Sequence, residues 1–108
     1  MTDVRFIYVT ASSGEEAEKI AIAVVEARLA ACANVLGASR SFYHWNGKLE
    51  RGEEVVLVLK TVERLEEPLI RRIRELHTYE CPAIVVLPVL GGNEAFLQWV
   101  RAETSPLR

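Results

Sequence analysis

NVLGASRSFYHWNGKLERGEEVVLVLKT, residues 34–61, is the stretch on which the fold turns. Asn46–Gly47 at its middle is a hairpin signal, because both residue types tolerate positive φ. Before the turn, residues 34–45 read as a strand with an irregularity near Gly37. After it, VVLVLKT at 55–61 is the strongest strand pattern in the chain, dense in β-branched residues. Between turn and strand lies LERGEE, a polar, glycine-containing bend that interrupts the second arm. The chain thus folds back on itself halfway, with two antiparallel strands in sequence.

Outward from this hairpin, each side repeats a strand-and-helix pair. On the N-terminal side, VRFIYVT at 4–10 reads as a strand. Ser13 then caps a helix, and Glu16 three places on completes a capping box. Ala17, Ile20, Ala21, Val24, Val25 and Leu29 recur at helical spacing behind it. On the C-terminal side a helix is expected over about residues 65–77, with Pro68 tolerated in its first turn. Leu69, Ile70, Ile73 and Leu76 form its apolar stripe. PAIVVLPVL at 82–90 reads as a strand, and Pro88 assigns it to an edge, a bulge or an early end. GGNEAFLQWV then predicts a turn, an Asn93 cap and a short helix with Phe96, Trp99 and Val100 facing inward. The order β-α-β-β-α-β plus a terminal helix is an α+β, ferredoxin-like split βαβ, read here as one domain over residues 1–108.

A sheet covered on one face alternates apolar and polar residues. VVLVLK and AIVVLPVL do not alternate, so the second face also needs cover. Association through sheet faces or strand edges supplies it, unless the long hairpin folds back over its own sheet.

Composition narrows the function. The chain has 108 residues, 50% apolar and 26% charged, which excludes disorder. A formal charge of −2 leaves no overall basic footprint for nucleic acid or an anionic membrane, though Arg71, Arg72 and Arg74 form a local basic run. No stretch of roughly 20 largely apolar residues is present to span a bilayer. The N-terminus lacks the pattern of a secretory signal, so a cytoplasmic location is expected. Two cysteines do not build a disulfide framework. Positions 32, 44, 77 and 81 lack the paired spacing of a structural zinc site. Nor is there a serine elbow, a phosphate-binding glycine loop or an acid/base pair, so no enzyme is expected.

HTYECP at 77–82 is the most chemically loaded segment. His77 stands at a helix end, where it either caps and packs or ligates a borderline ion. Glu80 and Cys81 complete the candidate metal ligands, with a solvated glutamate and a packed thiol as the alternatives. Tyr79, with Tyr43 and Trp45 beside the hairpin turn, is suited to a ligand wall or to packing. Lys60 either meets Glu80 or an anionic ligand, or snorkels from an apolar strand. Glu50, Glu53 and Glu54 form a modest acidic cluster.

ARLAACAN at 27–34, SFYHWNGKLE at 41–50, EVVLVLKT at 54–61, LHTYECPAIVVLPV at 76–89 and FLQWV at 96–100 follow one another across nearly the whole chain. In this order they resemble the CutA family, the divalent-cation-tolerance proteins. The resemblance implies a ferredoxin-like subunit in a homotrimer, with the hairpin reaching beyond its own subunit. It also implies tolerance to copper and other divalent cations, with these ions and the protein itself as partners. The architecture is similar to that of the PII signalling proteins, which motivates the alternative of a small-ligand or protein-binding trimer. His77, Tyr79 and Pro82 match the family's H.Y..P signature, and Tyr43 and Trp45 match its hairpin aromatics. The copper ligands proposed for some members, a cysteine in the first strand and two adjacent histidines, fall here on Val9, Leu76 and His77. Valine and leucine do not ligate copper, which excludes a site built from those three positions.

Overall fold

The structure, a computed structural model, describes residues 1–106. Its elements run β1 (Val4–Ala11), α1 (Gly14–Glu26), β2 (Cys32–Trp45), β3 (Lys48–Val62), a 3-10 turn (Glu63–Leu65), α2 (Glu66–Leu76), β4 (Ile84–Pro88) and α3 (Glu94–Glu103). The four strands form one antiparallel sheet in the order β2-β3-β1-β4. This is the β-α-β-β-α-β topology expected, with α3 added.

Helices α1 and α2 cover one face of the sheet. Ile7, Val9 and Ala11 from β1 and Leu57 and Leu59 from β3 meet Ala17, Ile20 and Val24 of α1 and Leu69 and Ile73 of α2. These positions are the period-2 and helical-period residues of their segments, so binary pattern and burial agree. Ser13 caps α1, its Oγ accepting the Glu16 N–H at 3.1 Å. The reciprocal bond differs from a simple capping box: the Glu16 carboxylate accepts from Ser12 N–H rather than Ser13.

Three boundaries depart from the sequence reading. First, β3 is continuous through LERGEE, paired with β2 without interruption from Trp45↔Lys48 to Gly37↔Val56. The polar bend does not form because this part of the hairpin is a two-stranded ribbon outside the sheet, where polar side chains meet water on both faces. Second, β4 is shorter than residues 82–90; it is an edge strand that ends at Pro88, which has no N–H to extend the ladder. Third, α3 buries Leu97 and Val100 against Val4 and Val62, while Trp99 is 42% exposed and stacks on Phe96 at 5.9 Å. The Asn93 cap sets the helical phase, which points the sheet-facing side at 97 and 100.

The irregularity near Gly37 is a bulge, with a register shift between Val35 and Gly37. Gly37 sits at φ +106°, and a Cβ there would meet nothing within 4 Å. Substitution therefore adds backbone strain without a clash. Gly37→Ala is expected to cost about 1–2 kcal/mol in chemical denaturation. An unchanged midpoint would show that the bulge relaxes freely.

The ribbon does not fold back over the sheet. It extends the molecule to 46 Å, against 25 and 22 Å in the other directions. On the sheet face away from α1 and α2, Tyr8 is flanked in register by Val58 and Val85. Tyr8, Val85 and Leu87 are exposed within the single chain.

Candidate functional site

Where the ribbon leaves the sheet, it faces the turn between α2 and β4 across a groove of about 990 Å³. The ribbon supplies Ser41, Phe42, Tyr43, Trp45, Glu50 and Glu54, and the turn supplies Thr78, Tyr79, Glu80 and Cys81. Thr10 of β1 lies at its floor. Register places Tyr43 opposite Glu50 and Trp45 opposite Lys48. Residues of one parity share a face, so Glu50 and Glu54 look into the groove while Glu53, opposite Arg40, looks away. The turn at Asn46 and Gly47, with φ of +52° and +77°, fixes that register.

The groove carries three carboxylates, Glu50, Glu54 and Glu80, and its lining includes no lysine, arginine or histidine. Lys48 at the ribbon tip is paired with Trp45 but is not part of the lining. Burial pushes the Tyr79 phenol above its ordinary range, and the neighbouring Glu54 carboxylate raises it further. Tyr79 therefore presents a neutral ring and hydroxyl.

Behind the groove wall lies a buried polar cluster. His77 ends α2, its N–H donating to Ile73 O at 2.9 Å and its backbone then turning extended. Its Nε2 donates to Thr10 O at 2.7 Å, and its Nδ1 accepts from Tyr79 N–H at 3.0 Å. A carbonyl only accepts and a backbone N–H only donates, so the partners assign the Nε2–H tautomer. Glu16 reaches in from α1. One carboxylate oxygen accepts from Ser12 N–H at 2.9 Å, and the other accepts from Thr78 N–H at 3.0 Å. The first oxygen lies 3.6 Å from His77 Nδ1. Burial pushes the Glu16 carboxyl upward, but the Ser12 and Thr78 donors outweigh it and leave the pKa below the ordinary 4.5.

The structure brings Tyr43, Trp45, Tyr79, Glu80 and Cys81 to one groove. It places the other two candidates elsewhere. His77 has no exposed side-chain surface, and its two ring nitrogens are already used, so it positions the turn and offers no free lone pair. Lys60 lies at the far end of β3, its Nζ 5.3 Å from the Phe6 ring and 5.4 Å from the Phe96 ring. Cys81 is exposed while His77 is buried, so the two do not face one ion. Val9 is in the core and Leu76 packs against it. Among the described residues, no group of three His, Cys, Asp or Glu side chains is placed to hold a metal ion.

Glu16 is the functional-site neighbour that sequence reasoning missed. It was visible only as a cap residue, and its reach to Thr78 spans 62 positions. The local basic run is split between an ion pair and a neighbouring hollow. Arg72 pairs with Glu75 at 3.1 Å, and Arg71 and Arg74 border a second hollow with Glu67, Glu75 and Glu80.

The family model described as CutA1 divalent ion tolerance protein matches residues 5–103. The divalent-cation tolerance protein CutA of Pyrococcus horikoshii is 46% identical over 98 residues, covering 91% of this chain and 95% of its own. Human protein CutA is 43% identical over 97 residues, and the chloroplastic Arabidopsis thaliana protein is 36% identical over 98 residues. The chain spans 54% of the length of these last two, about half of each. Among solved structures, CutA from Xylella fastidiosa superposes with a TM-score of 0.94 at 34% identity, covering 96% of this chain and all of that one. The Thermus thermophilus protein gives 0.92 at 38% identity, covering 94% of this chain and 99% of its own.

Proposed function

The chain belongs to the CutA1 family of divalent-ion tolerance proteins, and on that premise we propose that it works as a cytoplasmic homotrimer whose grooves bind divalent cations. Membership makes it a tolerance protein rather than an enzyme. The observation that carries the proposal is the groove itself, whose lining holds three carboxylates, one exposed thiol and no basic side chain. Such a lining attracts cations and does not repel them at close range.

The donor set does not fit a preformed chelate within one chain, since no three ligating groups converge among the described residues. Glu50, Glu54 and Glu80 suit loose, exchangeable oxygen contacts, and the Cys81 sulfur adds affinity for a soft ion such as copper. Exposure of Tyr8, Val85 and Leu87 supports assembly through the second sheet face. Equilibrium dialysis with Cu²⁺ on the purified full chain tests the metal reading, alongside sedimentation to establish the oligomer. Cys81→Ser combined with Glu50→Gln, Glu54→Gln and Glu80→Gln is expected to weaken copper binding by at least about ten-fold. Unchanged affinity sinks these donors, and a monomer sinks the trimer.

A second reading, a PII-like trimer that binds a small ligand, is favoured by one specific feature. Four aromatic residues, Phe42, Tyr43, Trp45 and Tyr79, border the same groove.

A further inference from the structure

We infer that His77 is a proton-operated catch for the turn between α2 and β4: a proton on its Nδ1 exchanges the Tyr79 N–H for the Glu16 carboxylate and releases residues 79–82. This is a property of the turn itself and holds whether or not the groove takes a cation.

In the neutral ring, Nε2 donates to Thr10 O at 2.7 Å and Nδ1 accepts from Tyr79 N–H at 3.0 Å. A second ring proton has one place to go, Nδ1, where the Tyr79 N–H already points. Two donors do not share one line, so the Tyr79 bond breaks while the Thr10 bond survives. The new donor has an acceptor at hand. Glu16 Oε1 lies 3.6 Å from Nδ1, and although it already accepts from Ser12 N–H it keeps a second lone pair. A small approach converts that separation into a charge-assisted bond, stronger than the neutral one it replaces.

The surroundings of the ring favour this exchange. Facing it are the Thr10 carbonyl from β1, Glu16 from α1 and the Tyr79 ring from the turn, the last at 4.8 Å. The C-terminal end of α2, which His77 caps, also favours a positive charge. Glu54 of β3 and Tyr43 of β2 act one step further out, on Tyr79. Among the described residues, Glu16 is the one charged side chain paired with the imidazole. Its pKa lies below 4.5, so it is still ionised where histidines change charge. The ring has no exposed side-chain surface within the single chain, so a neighbouring copy does not change what touches it.

The released stretch has defined ends. Thr78 N–H stays on Glu16 Oε2 at 3.0 Å, and Ala83 O stays on Thr10 N–H at 3.3 Å. Between them, among the described residues, Tyr79 N–H is the only backbone group of residues 79–82 with a hydrogen bond. Breaking it frees the segment that carries Glu80 and Cys81.

The test uses the purified full chain, labelled with ¹⁵N and held in a chelating buffer, taken from about pH 8 to about pH 5. Long-range ¹H–¹⁵N spectra of the imidazole are expected to show the Nε2–H tautomer at the upper end and a proton on Nδ1 at the lower. In the same transition, hydrogen exchange at the Tyr79 amide, corrected for its intrinsic rate, is expected to rise by at least about ten-fold. Exchange at Thr78 is expected to stay constant. Glu16→Gln is expected to move the transition to lower pH, because the imidazolium then meets a neutral partner. His77→Gln supplies a donor and an acceptor that do not titrate, so Tyr79 exchange there is expected to be independent of pH. Should either variant fail to fold, the spectra of the unmodified protein decide by themselves. A ring that stays neutral to about pH 5 overturns the proposal, as does a protonated ring with an unchanged Tyr79 amide. Parallel loss of protection at Thr78 overturns it too, because that describes melting of the whole turn rather than release of one catch.

Discussion

Glu16→Ala is expected to destabilise the protein by about 2–3 kcal/mol and to weaken ligand binding in a groove that Glu16 never touches. Its carboxylate accepts two backbone N–H groups, from Ser12 and Thr78, and both lose a charged acceptor on truncation. Each such bond contributes on the order of 1–2 kcal/mol, with part recovered where water reaches the freed N–H. Glu16→Gln retains one neutral acceptor, so about half the loss is expected. The effect on the groove follows from the chain path. Thr78 is held by Glu16, Tyr79 N–H by His77, and His77 by Thr10, so the turn carrying Glu80 and Cys81 depends on this cluster.

Acid should act through the same carboxylate. The folded pKa of Glu16 lies below its ordinary value of 4.5. A depressed carboxylate contributes fully above the unfolded pKa, and the contribution disappears as pH falls through the folded value. Asp3 adds to the same trend, lowered by its hydrogen bond to Arg101 at 2.7 Å, although half of the Asp3 side chain is exposed and solvent screens the pair. Denaturation of the parent and Glu16→Ala at about pH 7 and about pH 3, at one protein concentration, checks both statements. The difference between the two proteins should shrink in acid. A constant difference would mean that the charge of Glu16 is immaterial.

Leu57→Ala is expected to be the most damaging single core truncation among the positions on β3, at about 3–4 kcal/mol. Leu57 is fully buried, lies between Val9 and Val35 in register, and sits beneath the two helices. The central strands are braced by pairing on both sides, so they collapse poorly around a void. Val58 next to it looks to the opposite face and is only half-buried in the single chain. Val58→Ala should cost about 1 kcal/mol or less if that face stays open to water. Equal losses at the two positions would contradict the assignment of the core to the helix side.

The legible parts of the fold were those governed by near neighbours. Ser13 caps α1, Asn93 caps α3 and Asn46–Gly47 turns the hairpin because each acts on backbone groups within a few residues. The apolar character of residues 55–61 and 84–87 signalled strands with two demanding faces for the same reason. The error in α3 has a physical source as well. Phe96, Trp99 and Val100 share an apolar stripe, but the cap and the contact with Val4 and Val62 choose a phase in which Leu97 is buried and Trp99 is not.

Residue identity thus determined the order of elements, the hairpin and the family signature around His77 and Tyr79. It also determined that Val9 and Leu76 contribute no metal ligands. Tertiary structure alone decided that His77 is a positioning residue with both nitrogens engaged, and that Glu16, not Glu80, stands beside it. It alone separated Glu50 and Glu54 from Glu53 and removed Lys60 from the groove. The reason is range. Propensities, caps and turns operate over a few residues, whereas the partner that satisfies a buried nitrogen or carboxylate is chosen only when distant segments close around it.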